Sequence, residues 1–143
     1  TFNSQELANI VWAFSTAGVE APLLFEAVAL RASEKEVLKT LNAQALANTA
    51  WAFSNAGVPA PHMFGAFALD AVPKLNSFNP QNKANTVWAF AKAGIEAPLL
   101  FEAIGKTTPH QLDFARPQHL AMTAWAYATA GFAAPALFEA LAG

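Results

Sequence analysis

The sequence predicts an all-α fold, namely a right-handed α-solenoid of four helix-turn-helix units. Tryptophans recur at Trp12, Trp51, Trp88 and Trp125, with spacings of 39, 37 and 37 residues. Each tryptophan lies in a similar segment that ends in Ala-Gly, and the chain is rich in alanine, leucine and phenylalanine. A fixed period of this length is typical of stacked helical hairpins. The helical spacing of apolar residues selects helices over strands.

Each unit divides into two helices. The first follows an N-cap asparagine in three units and ends at a glycine that suits the left-handed C′ position. The second begins with a proline in its first turn. The asparagines are Asn3, Asn42 and Asn79, the glycines Gly18, Gly57, Gly94 and Gly131, and the prolines Pro22, Pro61, Pro98 and Pro135. We therefore predict one array over residues 1–143, with units at 1–40, 41–77, 78–113 and 114–143, the last incomplete.

The composition argues against several function classes. The chain has no cysteine, which excludes disulfides and thiolate metal sites. Its histidines, His62, His110 and His119, have no partners at metal or triad spacing. No apolar run approaches the roughly 20 residues that span a bilayer. We therefore expect a soluble protein with no membrane insertion, no metal, no cofactor and no enzyme activity.

The segment 78–94 carries a family resemblance. It reads Phe-Asn-Pro-Gln, then Ala-Asn-Thr-Val-Trp-Ala-Phe, then Ala-Gly, and it closely resembles the octotricopeptide repeat. The resemblance extends over all four units, although the second helices keep only a proline and an aromatic residue of that family's Pro-Pro-Pro-Glu-Trp opening. It implies a protein that binds organellar transcripts and acts in their processing, stability or translation. It also implies a location in the chloroplast or the mitochondrion.

The candidate RNA-binding residues lie on the first helices. Positions seven residues apart share one side of a helix, and repeat proteins that read single-stranded RNA use two or three side chains per repeat. Two positions of this kind hold amide, hydroxyl or cationic side chains, and further candidates lie near the start of the helix. The predicted RNA-binding residues are Asn9, Thr16, Asn48, Asn55, Asn85, Lys92 and Thr129, together with Lys83 and His119.

The charge distribution leaves two functions open. The formal net charge is −2, whereas nucleic-acid binders are usually basic. Acidic residues gather in the turns and at the start of the second helices, so a polyanion would approach the first helices instead. The alternative is a protein-binding or scaffolding α-solenoid, a subunit of a larger organellar complex, whose asparagines hold an extended peptide. In both readings we expect the tryptophans to lie in the core.

Overall fold

The structure, a computed structural model, describes residues 2–107 and 116–132. All regular structure in these two ranges is helical, which confirms the all-α prediction. The predicted second helix of the fourth unit, from Pro135, lies outside the described residues. The elements are α1 (Ser4–Ala17), α2 (Pro22–Ala32), α3 (Lys35–Thr40), α4 (Ala43–Ala56), α5 (Pro61–Ala71), a 3-10 helix (Val72–Ser77), α6 (Pro80–Ala93), α7 (Pro98–Thr107) and α8 (Pro117–Ala130).

Local capping chemistry sets the ends of the first helices as predicted. Asn3 Oδ1 accepts from the Glu6 amide at 2.8 Å, and Glu6 Oε1 accepts from the Asn3 amide at 2.9 Å. Asn42 caps α4 in the same way, through the Ala45 amide. The glycines after α1, α4, α6 and α8 have φ angles of 67–72°, the left-handed region that favours glycine. The helices α1, α4 and α6 therefore begin at their asparagine caps, and all four first helices end at a glycine.

The helices form two rows. The first helices α1, α4, α6 and α8 pack side by side in that order, and α2, α5 and α7 follow one another in a second row. The backbones approach more closely in the first row than in the second. Ala8, Ala47 and Ala84 have no exposed surface, and side chains this small allow helix axes to come close together.

Aromatic side chains join each unit to the next across the two rows. The rings of Phe25 and Phe53 meet edge to face with centroids 5.0 Å apart, and those of Phe64 and Phe90 repeat the arrangement at 5.0 Å. Phe101 meets Tyr127 at 5.1 Å at the third junction. Such edge-to-face pairs contribute about 0.5–1.5 kcal/mol beyond the area they bury. The core therefore runs continuously along the array.

The prediction of two helices per unit misses the connecting elements. The short helix α3 and the 3-10 helix bridge consecutive units, and each inserts an apolar residue, Val37 or Leu75, into the core. Lys74 ties them together, because its ammonium donates to the carbonyls of Leu38 at 2.9 Å and Leu41 at 3.0 Å. The lysine also pairs with Asp70 at 2.8 Å. Connectors anchored in this way add helical turns that the proline and glycine signals alone do not indicate.

Candidate binding surface

One face of the first row carries four columns of repeated side chains. Positions 5, 9, 12 and 16 of α1 are spaced by four, three and four residues, so they share one side of the helix. The equivalent residues of α4, α6 and α8 continue each column. We call this surface the amide–tryptophan face. Its residues are Gln5, Gln44, Gln81 and Gln118; Asn9, Asn48, Asn85 and Met122; Trp12, Trp51, Trp88 and Trp125; and Thr16, Asn55, Lys92 and Thr129.

The tryptophans form a ladder on this face. The prediction that they lie in the core is wrong for the exposed Trp12 and Trp125, whereas Trp51 and Trp88 pack against the core. Trp12 and Trp125 are 47% and 45% exposed, and Trp51 and Trp88 are half-buried. The rings of Trp51 and Trp88 stack with centroids 6.2 Å apart, and Trp88 and Trp125 are also 6.2 Å apart. Leucine and valine fill the buried side of α1 instead, one to five residues before Trp12. The indoles of Trp51, Trp88 and Trp125 therefore contact one another in sequence, and each of the four tryptophans keeps exposed surface.

The amide and hydroxyl side chains that were predicted to bind RNA lie on the same face. They differ in exposure and in the hydrogen bonds that they already make. Asn9 and Thr129 are exposed, and Asn48 and Asn85 are half-buried. The Thr16 hydroxyl donates to the Trp12 carbonyl at 2.9 Å, inside its own helix. The exposed Asn55 donates to Ser15 Oγ at 2.9 Å, which links α4 to α1. The structure thus brings seven of the nine predicted RNA-binding residues, all except Lys83 and His119, onto one surface.

Lys83 and His119 contradict the prediction, since both are buried. Lys83 is 2% exposed, and burial lowers its pKa. It occupies the position that holds Leu7, Leu46 and Leu120 in the other units, which is a core position of the first helix. The leucines at the equivalent positions are the sequence signal that would have predicted a buried Lys83. Its ammonium therefore does not belong to the surface that was predicted to meet phosphates.

His119 is buried at the equivalent of Ala45, near the start of α8. Burial, followed by the charge of Arg116, lowers its pKa. A neutral, enclosed imidazole is a poor partner for a polyanion, so this residue also leaves the candidate site. The residues that the sequence reasoning missed are the column Gln5, Gln44, Gln81 and Gln118, which repeats with the same spacing as the tryptophans.

The amide–tryptophan face is close to neutral. Lys92 is the one charged residue in its four columns, and its ammonium lies 4.7 Å from the centroid of the Trp88 ring. A cation at this distance over an indole is held by the negative π face. The face therefore offers amides and aromatic surface with little net charge.

Two properties of the described ranges concern membrane spanning and metal binding. No helix in them is long and apolar enough to cross a bilayer. They also hold no group of three or more histidine, aspartate or glutamate side chains arranged to bind a metal ion.

Comparison with known proteins adds one positive finding. The model of a family described as RNA-editing substrate-binding complex 6 protein (RESC6) matches residues 1–111, which is most of the chain. None of the curated proteins matches it. This family match overturns the octotricopeptide resemblance and removes the support for a chloroplast location. Asparagine caps, N1 prolines and Ala-Gly helix ends serve general needs of stacked helices, so these features do not separate one helical-repeat family from another.

Proposed function

The chain belongs to the RNA-editing substrate-binding complex 6 protein family, and from this premise we propose that it is a non-catalytic, protein-binding subunit of an RNA-editing complex. In this proposal residues 1–143 form one right-handed α-solenoid of four units, located in the mitochondrion. The amide–tryptophan face holds an extended segment of a partner protein. The closer approach of the helices in the first row supports a curved array with this face on its inner side.

The near-neutral charge of the face is the observation that carries the proposal. Binding to nucleic acid depends on cations that neutralise phosphates and release counterions. Lys92 is the one cation in the four columns, and Lys83, the other cation expected near it, is buried. A polypeptide backbone carries no charge and needs no such cations. The surface therefore suits an extended peptide better than a phosphate chain.

The dimensions of the face also fit an extended peptide. Successive tryptophan rings from α4 to α8 are 6.2 Å apart, and alternate residues of a β-strand repeat at roughly 6.6 Å. Side chains on one side of a bound segment would thus have a spacing close to that of the indoles. The glutamine and asparagine amides beside the ladder each offer a donor and an acceptor to the backbone of that segment. Aromatic contacts then give affinity, and the amides fix direction and register.

A second candidate is single-stranded RNA, and the exposed indoles favour it. A base stacked on an aromatic side chain contributes about 1–3 kcal/mol without any sequence requirement. Lys92 over Trp88 would place one cation beside such a base. This candidate requires affinity that comes mostly from stacking and that therefore depends only weakly on salt.

Site-specific photo-crosslinking distinguishes the two candidates. A benzophenone amino acid at position 44 or 118, both exposed glutamines on the face, is activated in cells that express the tagged chain. We expect one protein adduct that survives RNase, disappears with protease, and is lost when Trp88→Ala is added. Position 36, an exposed glutamate on α3, is the matched control and should not give this adduct. Adducts that RNase removes from positions 44 and 118 would refute the proposal and support the RNA candidate.

A further inference from the structure

Two segments of the chain are nearly identical although they lie two units apart. Residues 17–27 and 93–103 differ only by Val19 against Ile95. The identity includes exposed residues, since Leu23 is 80% and Leu99 69% exposed. The second unit folds the same way with Pro59 and other substitutions in this segment. The fold alone therefore does not require the repeated surface residues.

Each segment forms one wall of a groove. The first groove, of about 420 Å³, lies between the end of α1, the start of α2 and the end of α4. The second, of about 360 Å³, lies at the equivalent place among α6, α7 and α8. We call them the Glu20 groove and the Glu96 groove. Their lining positions correspond one to one, and four of the eleven pairs differ in residue type: Ser15 and Ala91, Val19 and Ile95, Asn55 and Thr129, and Val58 and Phe132.

The grooves adjoin the amide–tryptophan face and are acidic. Asn55 and Thr129 belong both to that face and to a groove. Among the described lining residues, the one charged side chain is Glu20 in the first groove and Glu96 in the second. Each groove also lies at the C-terminal ends of two first helices and the N-terminal end of one second helix, so the helix dipoles together place partial negative charge there. Both contributions favour a cation.

The walls suit the stem of a long cationic side chain. Apolar residues that keep exposed surface line both grooves: Phe14, Val19 and Val58 in the Glu20 groove, and Ile95, Pro98 and Phe132 in the Glu96 groove. Lysine and arginine bury their methylene stems on apolar surface while the charged end meets a polar partner. An apolar wall beside a carboxylate provides both surfaces.

We infer that the two grooves bind two lysine or arginine side chains of one partner polypeptide, the segment that lies along the amide–tryptophan face. This inference rests on the proposed function and specifies its partner. Helices in contact lie about 8–10 Å apart, so grooves separated by two helix spacings are about 16–20 Å apart. An extended chain covers that distance in roughly five or six residues.

The intervening unit excludes a third cation. Its turn carries Pro59 where the first and third units carry Glu20 and Glu96, and Lys92 replaces Asn55 at the edge of the face. Along the array, the groove edge is therefore acidic in the first unit, basic in the second and acidic in the third. The complementary segment has cationic residues at its two ends and a neutral or acidic residue between them.

Fluorescence anisotropy with a designed peptide tests the inference on the whole chain. The probe is a labelled twelve-residue peptide with two arginines six residues apart in a serine and leucine background. The comparison peptide carries citrulline, which is neutral and of similar shape, at both positions. Each exposed ion pair contributes modestly, so we expect Glu20→Gln or Glu96→Gln to weaken binding about threefold and the double variant about tenfold. The citrulline peptide should bind the unmodified chain about as weakly as the arginine peptide binds the double variant.

The double variant Glu36→Gln/Glu102→Gln is the matched control, because it removes two exposed carboxylates outside both grooves. Its affinity for the arginine peptide should stay unchanged, and circular dichroism checks that all variants fold. Equal binding by the Glu20/Glu96 double variant and the unmodified chain would overturn the inference, as would no preference for arginine over citrulline. Protein adducts at positions 44 and 118 would leave the proposed function standing in either case. Adducts to RNA alone would remove that function, whatever the peptide titration shows.

Discussion

The Tyr127 hydroxyl forms a hydrogen bond with the backbone of Gly105, and this contact provides a quantitative test of how the third and fourth units are joined. The buried Tyr127 hydroxyl donates to the Phe101 carbonyl at 2.5 Å, and burial raises the pKa of this phenol. At the two preceding junctions the equivalent pairs are alanine with phenylalanine, namely Ala29 with Phe53 and Ala68 with Phe90. The hydroxyl is therefore present where the helical methyl group is absent. We expect these two differences to compensate for each other.

The magnitudes follow from the two local effects. Tyr127→Phe removes a buried hydrogen bond and should lower the free energy of unfolding by about 1 kcal/mol. Gly105→Ala gains about 1 kcal/mol of helix propensity but crowds the hydroxyl, and overpacking costs roughly 1–3 kcal/mol. We expect this variant to be less stable by about 1 kcal/mol. The double variant loses the bond and gains the propensity without crowding, so it should match the unmodified chain, with a coupling energy of about 2 kcal/mol.

Urea unfolding followed by far-ultraviolet circular dichroism measures the free energy of unfolding of the unmodified chain, the two single variants and the double variant. The converse pair is the control: Phe90→Tyr should destabilise the second junction unless Ala68→Gly accompanies it. Additive effects within about 0.5 kcal/mol, the value expected for independent sites, would show that the methyl and hydroxyl groups do not share space. In that case the proposed complementarity at this junction is wrong.

Four further predictions concern single residues. Lys83→Leu restores the leucine of the other units and should raise the free energy of unfolding by about 1 kcal/mol, because a buried cation is replaced by apolar surface; a decrease in urea unfolding would contradict this. His119 has a lowered pKa in the folded state, so the unfolded state binds its proton first as the pH falls. The contribution of His119 to the free energy of unfolding is therefore full above about pH 6.5 and decreases below it. Between pH 7 and pH 5 the melting temperature should fall less for His119→Gln than for the unmodified chain. Trp88→Ala, in the middle of the ladder, should cost about 2 kcal/mol in urea unfolding, well below the 3–5 kcal/mol of a fully buried tryptophan, and Trp12→Ala at the exposed end clearly less. Asn42→Ala removes the α4 cap and should lower stability by about 1 kcal/mol in the same assay.

The helices could be predicted because their ends depend on local chemistry. Asn3 and Asn42 bond to amides three residues away, and Gly18 adopts a backbone conformation that glycine prefers. These interactions need no information from distant parts of the chain. The connector α3 was missed because it depends on a distant residue, Lys74, which bonds carbonyls at its end.

The exposure of the tryptophans could not be derived from the repeat alone. An aromatic residue at a fixed place in every unit fits a core and a surface ladder equally well, since both need the same spacing. The difference lies in which sides of α4 are covered by α1 and α6, and this depends on how the helices pack. Comparison between units, by contrast, could have identified two features. Lys83 stands among leucines, and the glutamine column headed by Gln5 is invariant across the four units.

The repeats also separate what the fold needs from what a partner needs. All four first helices keep the aromatic residue at the position of Phe14 and the C′ glycine, which serve packing and helix termination in every unit. Glu20, Leu23 and their counterparts Glu96 and Leu99 serve neither purpose, because they are exposed and the second unit folds without them. Side chains that recur in alternate units and contribute little to packing are best explained by a ligand that touches alternate units. An extended polypeptide with cations roughly five or six residues apart meets that condition.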